Sequence, residues 1–595
     1  MNDSRAGAAG VISARSSVLG RNERAGFLES AAFSYAIAGA LAALVFLFHL
    51  GSPPLTSPNE GLYAEVAREM NQTGDFVVPH ANTVVYLEKP PLLYWLSAIS
   101  MRVWGENAFG ARLPSAAAAI GTVLLVVAAG RRLFGPRAGA LSGVVLATSL
   151  GVALVSRQVL FDSLLTLWTT AALFGFWFGT EPAEPPDRRS RSWLLAGYAA
   201  LGLAVLTKGL VGIAIPGLIA GAYALVGRDF ARLRRGWSAA GAILLLAIAA
   251  PWHVLASLKQ PRFAWFYFVN EHWLRFLGRR EPADFHADPI LAPAAAIFLL
   301  PLPWSVFLPA ALRADVRDHK RSRESQFLYC WILAPVLFFT LSRTRTYYYL
   351  LPAVPAVALL IGRYWSGLFD GSRASRAGEL LATTVFAALA AWDLWIIAGA
   401  DFGTSLREAA AAQIWFSGGF WLVLGFALAV GLALAKRPAL APLAVGAGFV
   451  AAFVVAVGFV ADGGAGILHS EKDLATIVED LASPGAAVAV EGKFENHSSF
   501  GFYLPQRFQP VLVVDALGQG DLAFGSQFML DTKTIFISTN PMIFEMAANR
   551  PLYYLSKSPS RLNVPPWLKL IACDDETMLW TNEGIPIPYP PPRPP

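Results

Sequence analysis

The chain has 595 residues, of which 55% are hydrophobic and only 15% are charged. This composition excludes an ordinary soluble globular protein, because apolar runs of about 16 to 24 residues recur along most of the chain and match the length needed to cross a bilayer. The net charge of +6 does not indicate nucleic-acid binding, since the basic residues stand between apolar segments, where membrane topology explains them. The two cysteines, Cys330 and Cys573, suggest neither a disulfide framework nor a zinc module.

The apolar segments predict a multi-span α-helical membrane domain over 31–462, preceded by a disordered cytoplasmic N-terminus at 1–30. The first segment is too long and too far from the start of the chain for a signal peptide. About thirteen spans are predicted by this criterion. They lie at 31–50, 108–130, 138–156, 161–180, 193–206, 210–226, 238–257, 289–312, 326–342, 347–364, 378–399, 414–435 and 439–461.

The distribution of basic residues predicts the orientation, because Arg and Lys favour cytoplasmic loops. With the N-terminus inside, alternate loops are basic, beginning at Arg131, Arg188, Arg228, Arg313, Arg363 and Lys436. Some cations nevertheless fall on the outer side, where they either reach lipid headgroups singly or share an anionic ligand such as a lipid phosphate. These outer cations are Lys89, Arg157, Lys208, Arg275, Arg279, Arg280, Arg343 and Arg345.

The composition changes after the last span, and short strands then alternate with helices. A helix is predicted at 471–481 and another at 540–549, with strands at 486–490, 511–514, 534–538, 552–556 and 568–573. This pattern predicts a small α/β domain over 463–584, which an odd number of preceding spans places outside the cytoplasm. A proline-rich tail at 585–595 is expected to be extended.

The outer loop at 51–107 carries more chemistry than a connection between two spans requires. Asn59 and Glu60 follow the first span, at a predicted helix N-terminus that favours anionic partners. Glu65, Arg68 and Glu69 stand at helical spacing and predict a solvated, ion-paired face. The segment 92–104 is too short to cross a membrane and is predicted to lie in, or re-enter, the interface.

Two prolines directly follow Glu88 and Lys89 in this loop, and we expect them to fix the backbone and hold Lys89 in place. A plain interfacial anchor is the alternative. Asp162 lies at the outer end of another span, where an ionisable group is functional or paired, with Arg157 as the alternative partner. Lys208 lies in an outward turn and could meet a phosphate.

Six segments, taken together and in this order, resemble the bacterial branch of the lipid-phosphate-sugar-dependent membrane glycosyltransferases. This branch is related to the protein O-mannosyltransferases, and the aminoarabinose transferases acting on lipid A are its most similar well-known type. The segments are NEGLYAEVAREM at 59–70, YLEKPPLLYW at 86–95, RQVLFDSLL at 157–165, LTKG at 206–209, NEHWLRF at 270–276 and RTRTYYYLLPAVPA at 343–356.

The resemblance implies an outer cavity, with interfacial helices in the outer loop, that receives a polyprenyl-phosphate-sugar donor from the side. Catalytic roles fall on Glu60, Asp162 and Asn59, and the last stands where the family usually has Asp. Donor-phosphate contacts fall on Lys89, Lys208, Arg345, Tyr86 and Tyr349. A possible divalent metal, the only cofactor implied, falls on Glu88 and His272, although no HxxxH or HExxH spacing supports it.

The resulting hypothesis is a transferase of the bacterial inner membrane that moves a hexose or pentose from a polyprenyl-phosphate donor to an extracytoplasmic acceptor: a lipid A-like lipid, another glycan or a protein. An acceptor oxygen would displace the polyprenyl phosphate at the anomeric carbon, with aimed cations stabilising the leaving group. Because Asn59 replaces the expected acid, either Glu60 or Asp162 is the base, the acceptor is already an anion, or the chain is inactive. A transporter or flippase of polyprenyl-linked glycans is the alternative function, and a membrane-anchored binding module ranks last.

Overall fold

The computed structural model describes residues 30–182, 188–282, 288–319, 322–369, 421–429, 432, 441–461, 470–516, 519–528, 535–537, 550–557, 568–573 and 577–584. The described residues up to 461 are almost entirely helical. The helices are α1 (Ala31–Leu47), α2 (Asn59–Thr73), α3 (Leu92–Trp104), α4 (Ala108–Phe134), α5 (Pro136–Ala147), α6 (Leu150–Ser156), α7 (Phe161–Gly179), α8 (Arg188–Lys208), α9 (Val211–Gly227), α10 (Phe230–Gly236), α11 (Ala239–Lys259), a π-helix (Trp265–Leu274), α12 (Ala292–Leu299), α13 (Leu308–His319), α14 (Arg323–Leu341), α15 (Val354–Phe369) and α16 (Ala441–Ala461).

The chain is a multi-span helical membrane protein. Among the described residues, five helices are long and apolar enough to cross a membrane, or up to seven if each of two bent helix pairs is one span. Every predicted apolar segment that lies within the described residues coincides with helix. The predicted spans at 378–399 and most of 414–435 lie outside the described residues, so the total of about thirteen stays a prediction.

Two segments predicted as straight spans are bent pairs instead. The pair α5 and α6 bends by 58°, and α12 bends by 98° against the helix that follows it. The backbone groups at the two breaks form hydrogen bonds with each other. The amides of Leu150 and Gly151 donate to the carbonyl oxygens of Leu302 and Leu300 at 2.7 and 2.8 Å. Because unpaired backbone groups cost several kcal/mol in a bilayer, each break depends on the other.

The outer loop folds as α2, a hairpin of β1 (His80–Ala81) and β2 (Val84–Val85), and then α3. The prediction of a solvated face on α2 is wrong. Glu65, Arg68 and Glu69 are only 0%, 5% and 3% exposed. Their spacing is that of an exposed ion-paired helix, but a distant part of the chain covers them, which helical periodicity alone does not reveal.

That distant part contains a six-stranded sheet in the order β5-β4-β3-β6-β8-β7. Its strands are β3 (Ala487–Glu491), β4 (Leu512–Val514), β5 (Phe536–Ile537), β6 (Leu552–Lys557), β7 (Lys569–Cys573) and β8 (Thr577–Thr581), and its helices are α17 (Lys472–Leu481), α18 (Ser498–Tyr503) and α19 (Ala523–Phe528). Strands β3 to β6 are parallel, and β7 and β8 are antiparallel additions. Five strands and α17 lie where the sequence predicts them, β8 was not predicted, and the predicted helix at 540–549 lies outside the described residues.

The sheet unit docks on α2 through α18. The guanidinium of Arg68 donates to the carbonyl oxygens of Gly501, Phe502 and Leu504 at 2.7 to 3.2 Å. At the start of α2, a side chain on Gly61 would collide with the backbone of α18. Glycine is therefore required for this close approach, and the docking fixes the position of the outer loop.

Candidate active site

A cavity of about 340 Å³ opens where the outer loop, the first turn of α7, the end of α8 and the π-helix meet. Most of its wall is apolar, and its polar side chains come from segments far apart in sequence. The polar and charged lining residues are Glu88, Lys89, Asp162, Lys208, Tyr267, Glu271, His272, Arg275, Ser342, Thr344 and Tyr349. The structure therefore brings together six of the predicted site residues on one surface: Glu88, Lys89, Asp162, Lys208, His272 and Tyr349.

Asp162 and Lys208 form an ion pair on this surface, with 2.7 Å between Nζ and Oδ1. The Lys208 ammonium also lies 4.2 Å from the centre of the Tyr349 ring, which adds a cation–π attraction. The alternative pairing of Asp162 with Arg157 is wrong, because Arg157 donates to the carbonyl of Val45 instead. The first turn of α7 is a favourable position for the Asp162 carboxylate, since the helix dipole is positive there.

A second charged group surrounds Lys89. Its Nζ lies 3.6 Å from Glu88 and 3.8 Å from Glu271, both longer than a good hydrogen bond. Arg280 binds both carboxylates, and Arg275 binds Glu271 at 2.7 Å. The acids thus hold the two arginines tightly and Lys89 only loosely.

The two acids of this group differ in protonation. Burial raises the pKa of Glu88 to about 8, and the nearby carboxylates of Asp521 and Glu271 add to the rise against Arg280 and Lys89. Burial also opposes ionisation of Glu271, but Lys89, Arg275 and Arg280 outweigh it and lower its pKa to about 2. Burial therefore favours the protonated form of Glu88, whereas the three cations favour the ionised form of Glu271.

The predicted metal site at Glu88 and His272 does not fit the geometry. Nδ1 of His272 donates to the carbonyl oxygen of Tyr267 at 2.6 Å, and Nε2 accepts from the amide of Leu210 at 3.1 Å. Both ring nitrogens are thus engaged, and Glu88 binds Arg280. No group of three or more potential ligands is present among the described residues. His272 positions the Lys208 turn, and burial lowers its pKa.

Glu60 and Asn59 do not line the cavity. Both oxygens of Glu60 are bound by the guanidinium of Arg112 at 2.7 and 2.8 Å. They also accept from the amides of Thr56 and Val159. Glu60 thereby ties three chain segments together, as a buried anion does when every lone pair is used. Its hydrogen bonds favour a structural role over the predicted role as base.

Two predicted donor-phosphate residues are also absent from the cavity wall. Arg345 donates to the backbone carbonyl oxygens of Asp288 and Ser342, so it closes a loop. Tyr86 is buried, packed against Tyr94. Neither lies among the lining residues.

Five polar lining residues were missed as site residues: Tyr267, Glu271, Arg275, Ser342 and Thr344. Arg275 carried a usable signal, because it is a cation on the predicted outer side. Glu271 stands in the NEH motif beside His272, yet an acid next to a histidine in a polar loop has no spacing that marks it. Tyr267 lies in an aromatic run, WFYF, where a buried packing role is the ordinary expectation.

Comparison with known proteins shows which proteins the chain resembles. Residues 88–254 match the family model of dolichyl-phosphate-mannose-protein mannosyltransferases. An undecaprenyl phosphate-α-4-amino-4-deoxy-L-arabinose arabinosyl transferase of Aeromonas salmonicida is 34% identical over 319 residues, 53% of this chain and 57% of that protein. The transferase of the same name from Erwinia tasmaniensis is 31% identical over 390 residues, 63% of this chain and 69% of its own length.

The fold is similar as well. The crystal structure of ArnT from Cupriavidus metallidurans bound to undecaprenyl phosphate superposes with a TM-score of 0.79 at 25% identity, covering 93% of this chain and 99% of that one. The sequence matches span between 57% and 69% of the two transferases' own lengths, and the superposition extends the similarity over nearly the whole fold. The chain belongs to the family of undecaprenyl phosphate-α-4-amino-4-deoxy-L-arabinose arabinosyl transferases.

Proposed function

We propose that the chain is an integral-membrane glycosyltransferase that moves a pentose, 4-amino-4-deoxy-L-arabinose, from undecaprenyl phosphate to a lipid A-like acceptor. The observation that carries this proposal is the cavity. It combines the loosely held Lys89 with the Asp162–Lys208 pair on an otherwise apolar wall. Such a surface suits a ligand with an anionic head and a long hydrocarbon tail.

The chemistry follows from the leaving group. An acceptor oxygen forms a bond to the anomeric carbon while the bond from that carbon to the phosphate oxygen breaks, and undecaprenyl phosphate departs with the electron pair. The developing negative charge needs pre-organised cations in a site of low dielectric. Lys89 and Lys208 supply them from two segments that both line the cavity.

Of the two predicted bases, Asp162 is the better placed to receive the acceptor's proton. It lines the cavity, whereas Glu60 is engaged by Arg112 outside it. Asn59 is neutral and cannot serve as the base. An acceptor phosphate is already an anion and would need little deprotonation. The proposal therefore assigns Asp162 to a hydroxyl acceptor and makes it dispensable for a phosphate acceptor.

The membrane arrangement forms part of the proposal. About thirteen spans with a cytoplasmic N-terminus in the bacterial inner membrane would place the cavity and the sheet unit on the extracytoplasmic side. The positive-inside distribution supports this orientation. The docking of the sheet unit on α2 also supports it, because both must then lie on the same side of the membrane.

The test is turnover by the purified chain in lipid nanodiscs. With undecaprenyl-phosphate-linked aminoarabinose and lipid A, mass spectrometry should show sugar-modified lipid A and one free undecaprenyl phosphate for each product. Asp162→Asn shows whether the acceptor is a hydroxyl. Asp75→Asn is the matched control, because Asp75 is a half-buried carboxylate that pairs with Lys259 outside the cavity. Translocation of intact donor without cleavage would support the transporter instead.

A further inference from the structure

Tyr267 has a feature that the proposed chemistry leaves unexplained. Its side chain is fully buried and its hydroxyl has no hydrogen-bond partner among the described residues. The same residue lines the cavity. Buried hydroxyls in native proteins nearly always have a partner, so an orphaned one beside a cavity points to a ligand.

The tyrosine ring cannot easily turn away to find another partner. Phe263 stacks on it with 5.1 Å between ring centres, and His272 packs edge-on at 4.7 Å. The backbone carbonyl of Tyr267 also accepts the Nδ1 hydrogen of His272. The hydroxyl is therefore held in a fixed direction by packing and by the π-helix.

Gly209 shows where the hydroxyl lies. A Cβ atom at this position would collide with the hydroxyl oxygen of Tyr267 and with Nε2 of His272. The backbone of Gly209 is also left-handed, with φ at +73°, which favours glycine. The hydroxyl thus rests against the residue that directly follows Lys208.

We propose that the Tyr267 hydroxyl donates a hydrogen bond to a phosphate oxygen bound beside Lys208, which makes Tyr267 a substrate-binding residue. This inference rests on the proposed function. Burial, together with the carboxylate of Glu271, raises the pKa of Tyr267 well above its usual value of about 10. The hydroxyl therefore stays a proton donor, and an oxyanion beside a lysine is the acceptor that suits it best.

The phosphate could belong to the polyprenyl donor or to a phosphorylated acceptor lipid. Tyr267→Phe removes the hydroxyl and keeps the ring. The matched control is Tyr198→Phe, because the Tyr198 hydroxyl donates to the carbonyl of Gly236 away from the cavity. Each purified variant in nanodiscs is titrated with undecaprenyl phosphate and, separately, with lipid A, and its thermal unfolding midpoint is measured.

The expected result is about ten-fold weaker binding of one of the two phosphates by Tyr267→Phe, with an unfolding midpoint equal to or above that of the wild type. Tyr198→Phe should keep both affinities and lower the midpoint. Weaker binding of undecaprenyl phosphate assigns the contact to the donor, and weaker binding of lipid A assigns it to the acceptor. If Tyr267→Phe bound each lipid as tightly as the wild type does, the inference would be overturned. The transferase activity, and hence the proposed function, would remain intact.

Discussion

The docking interface of α2 and the cavity both contain buried ion pairs, but their charges are held differently. At the interface, Arg68 makes four hydrogen bonds of 2.7 to 3.2 Å, one to Glu65 and three to backbone carbonyls. In the cavity, Lys89 lies 3.6 and 3.8 Å from its two acids. We therefore interpret the Arg68 charge as structural and propose that Lys89, which is more loosely paired, can exchange its partners for a ligand.

The largest expected effect is on the interface. Arg68→Ala removes the cation that pairs with the Glu65 carboxylate and the donor to three backbone carbonyl oxygens. Breaking a buried pair in this way costs about 3–5 kcal/mol. We expect a marked fall in the free energy of unfolding, measured by chemical denaturation in detergent. Arg102→Ala is the control, because Arg102 is exposed and lies over the Phe76 ring, away from the sheet unit's contacts with Arg68. Equal stability of the two variants would show that the sheet unit does not depend on Arg68.

The next effect is on the cavity. Lys89→Ala removes a cation aimed at the leaving phosphate, and losses of such groups cost about 10²–10³-fold in kcat. Stability should change little, since Lys89 is only loosely paired. Lys259→Ala, at an exposed lysine paired with Asp75, should keep full turnover. An unfolding midpoint that falls in parallel with kcat would show that Lys89 stabilises the fold.

Glu60→Gln tests whether Glu60 stabilises the fold or acts as the base. The Arg112 guanidinium keeps neutral acceptors but loses a charged one, so we expect a loss of about 2 kcal/mol of stability. The turnover of folded protein should stay within about three-fold of wild type, since Glu60 lies outside the cavity. Steady-state kinetics normalised to folded protein measures this, and loss of activity at unchanged stability would restore Glu60 as the base.

The last expected effect is a pH dependence of stability that arises on α2. Burial and the neighbouring Glu65 raise the pKa of Glu69 from about 4.5 to about 8. The folded state therefore binds more protons than the unfolded state between these values, and stability falls as pH rises, by at most about 1.4 kcal/mol per pH unit. Glu69→Gln should flatten this fall in unfolding midpoints measured from pH 5 to 8.

Asp75→Asn is the control, because the pKa of Asp75 is lowered whereas that of Glu69 is raised. Hydrogen bonds from the amides of Val78 and Val77 and the ammonium of Lys259 outweigh burial and lower the pKa of Asp75. Its contribution is present above pH 3.8 and is lost only as pH falls. This variant should leave the slope from pH 5 to 8 unchanged, and a Glu69→Gln slope equal to that of wild type would contradict the raised pKa.

Much of the fold was predictable because its signals are local. Apolar runs identified the helices, and five of the strands lie where short β-branched runs stand. Asp162 and Lys208 were individually suspect as ionisable groups at span ends, and the structure joins them in one pair. The bends at 148–150 and 300–303 were not predictable, because each depends on hydrogen bonds to the other.

The sequence by itself determined a membrane protein with a reactive outer loop, because length, hydropathy and charge placement act locally along the chain. Only the tertiary structure decided which charges serve stability and which face the cavity. Glu60 and Lys89 look alike in sequence, as ionisable residues of one loop. Arg112, 52 residues beyond Glu60, binds the Glu60 carboxylate. Lys89 is held only loosely by Glu88 and Glu271. Such pairings depend on distances in space, which residue spacing does not encode.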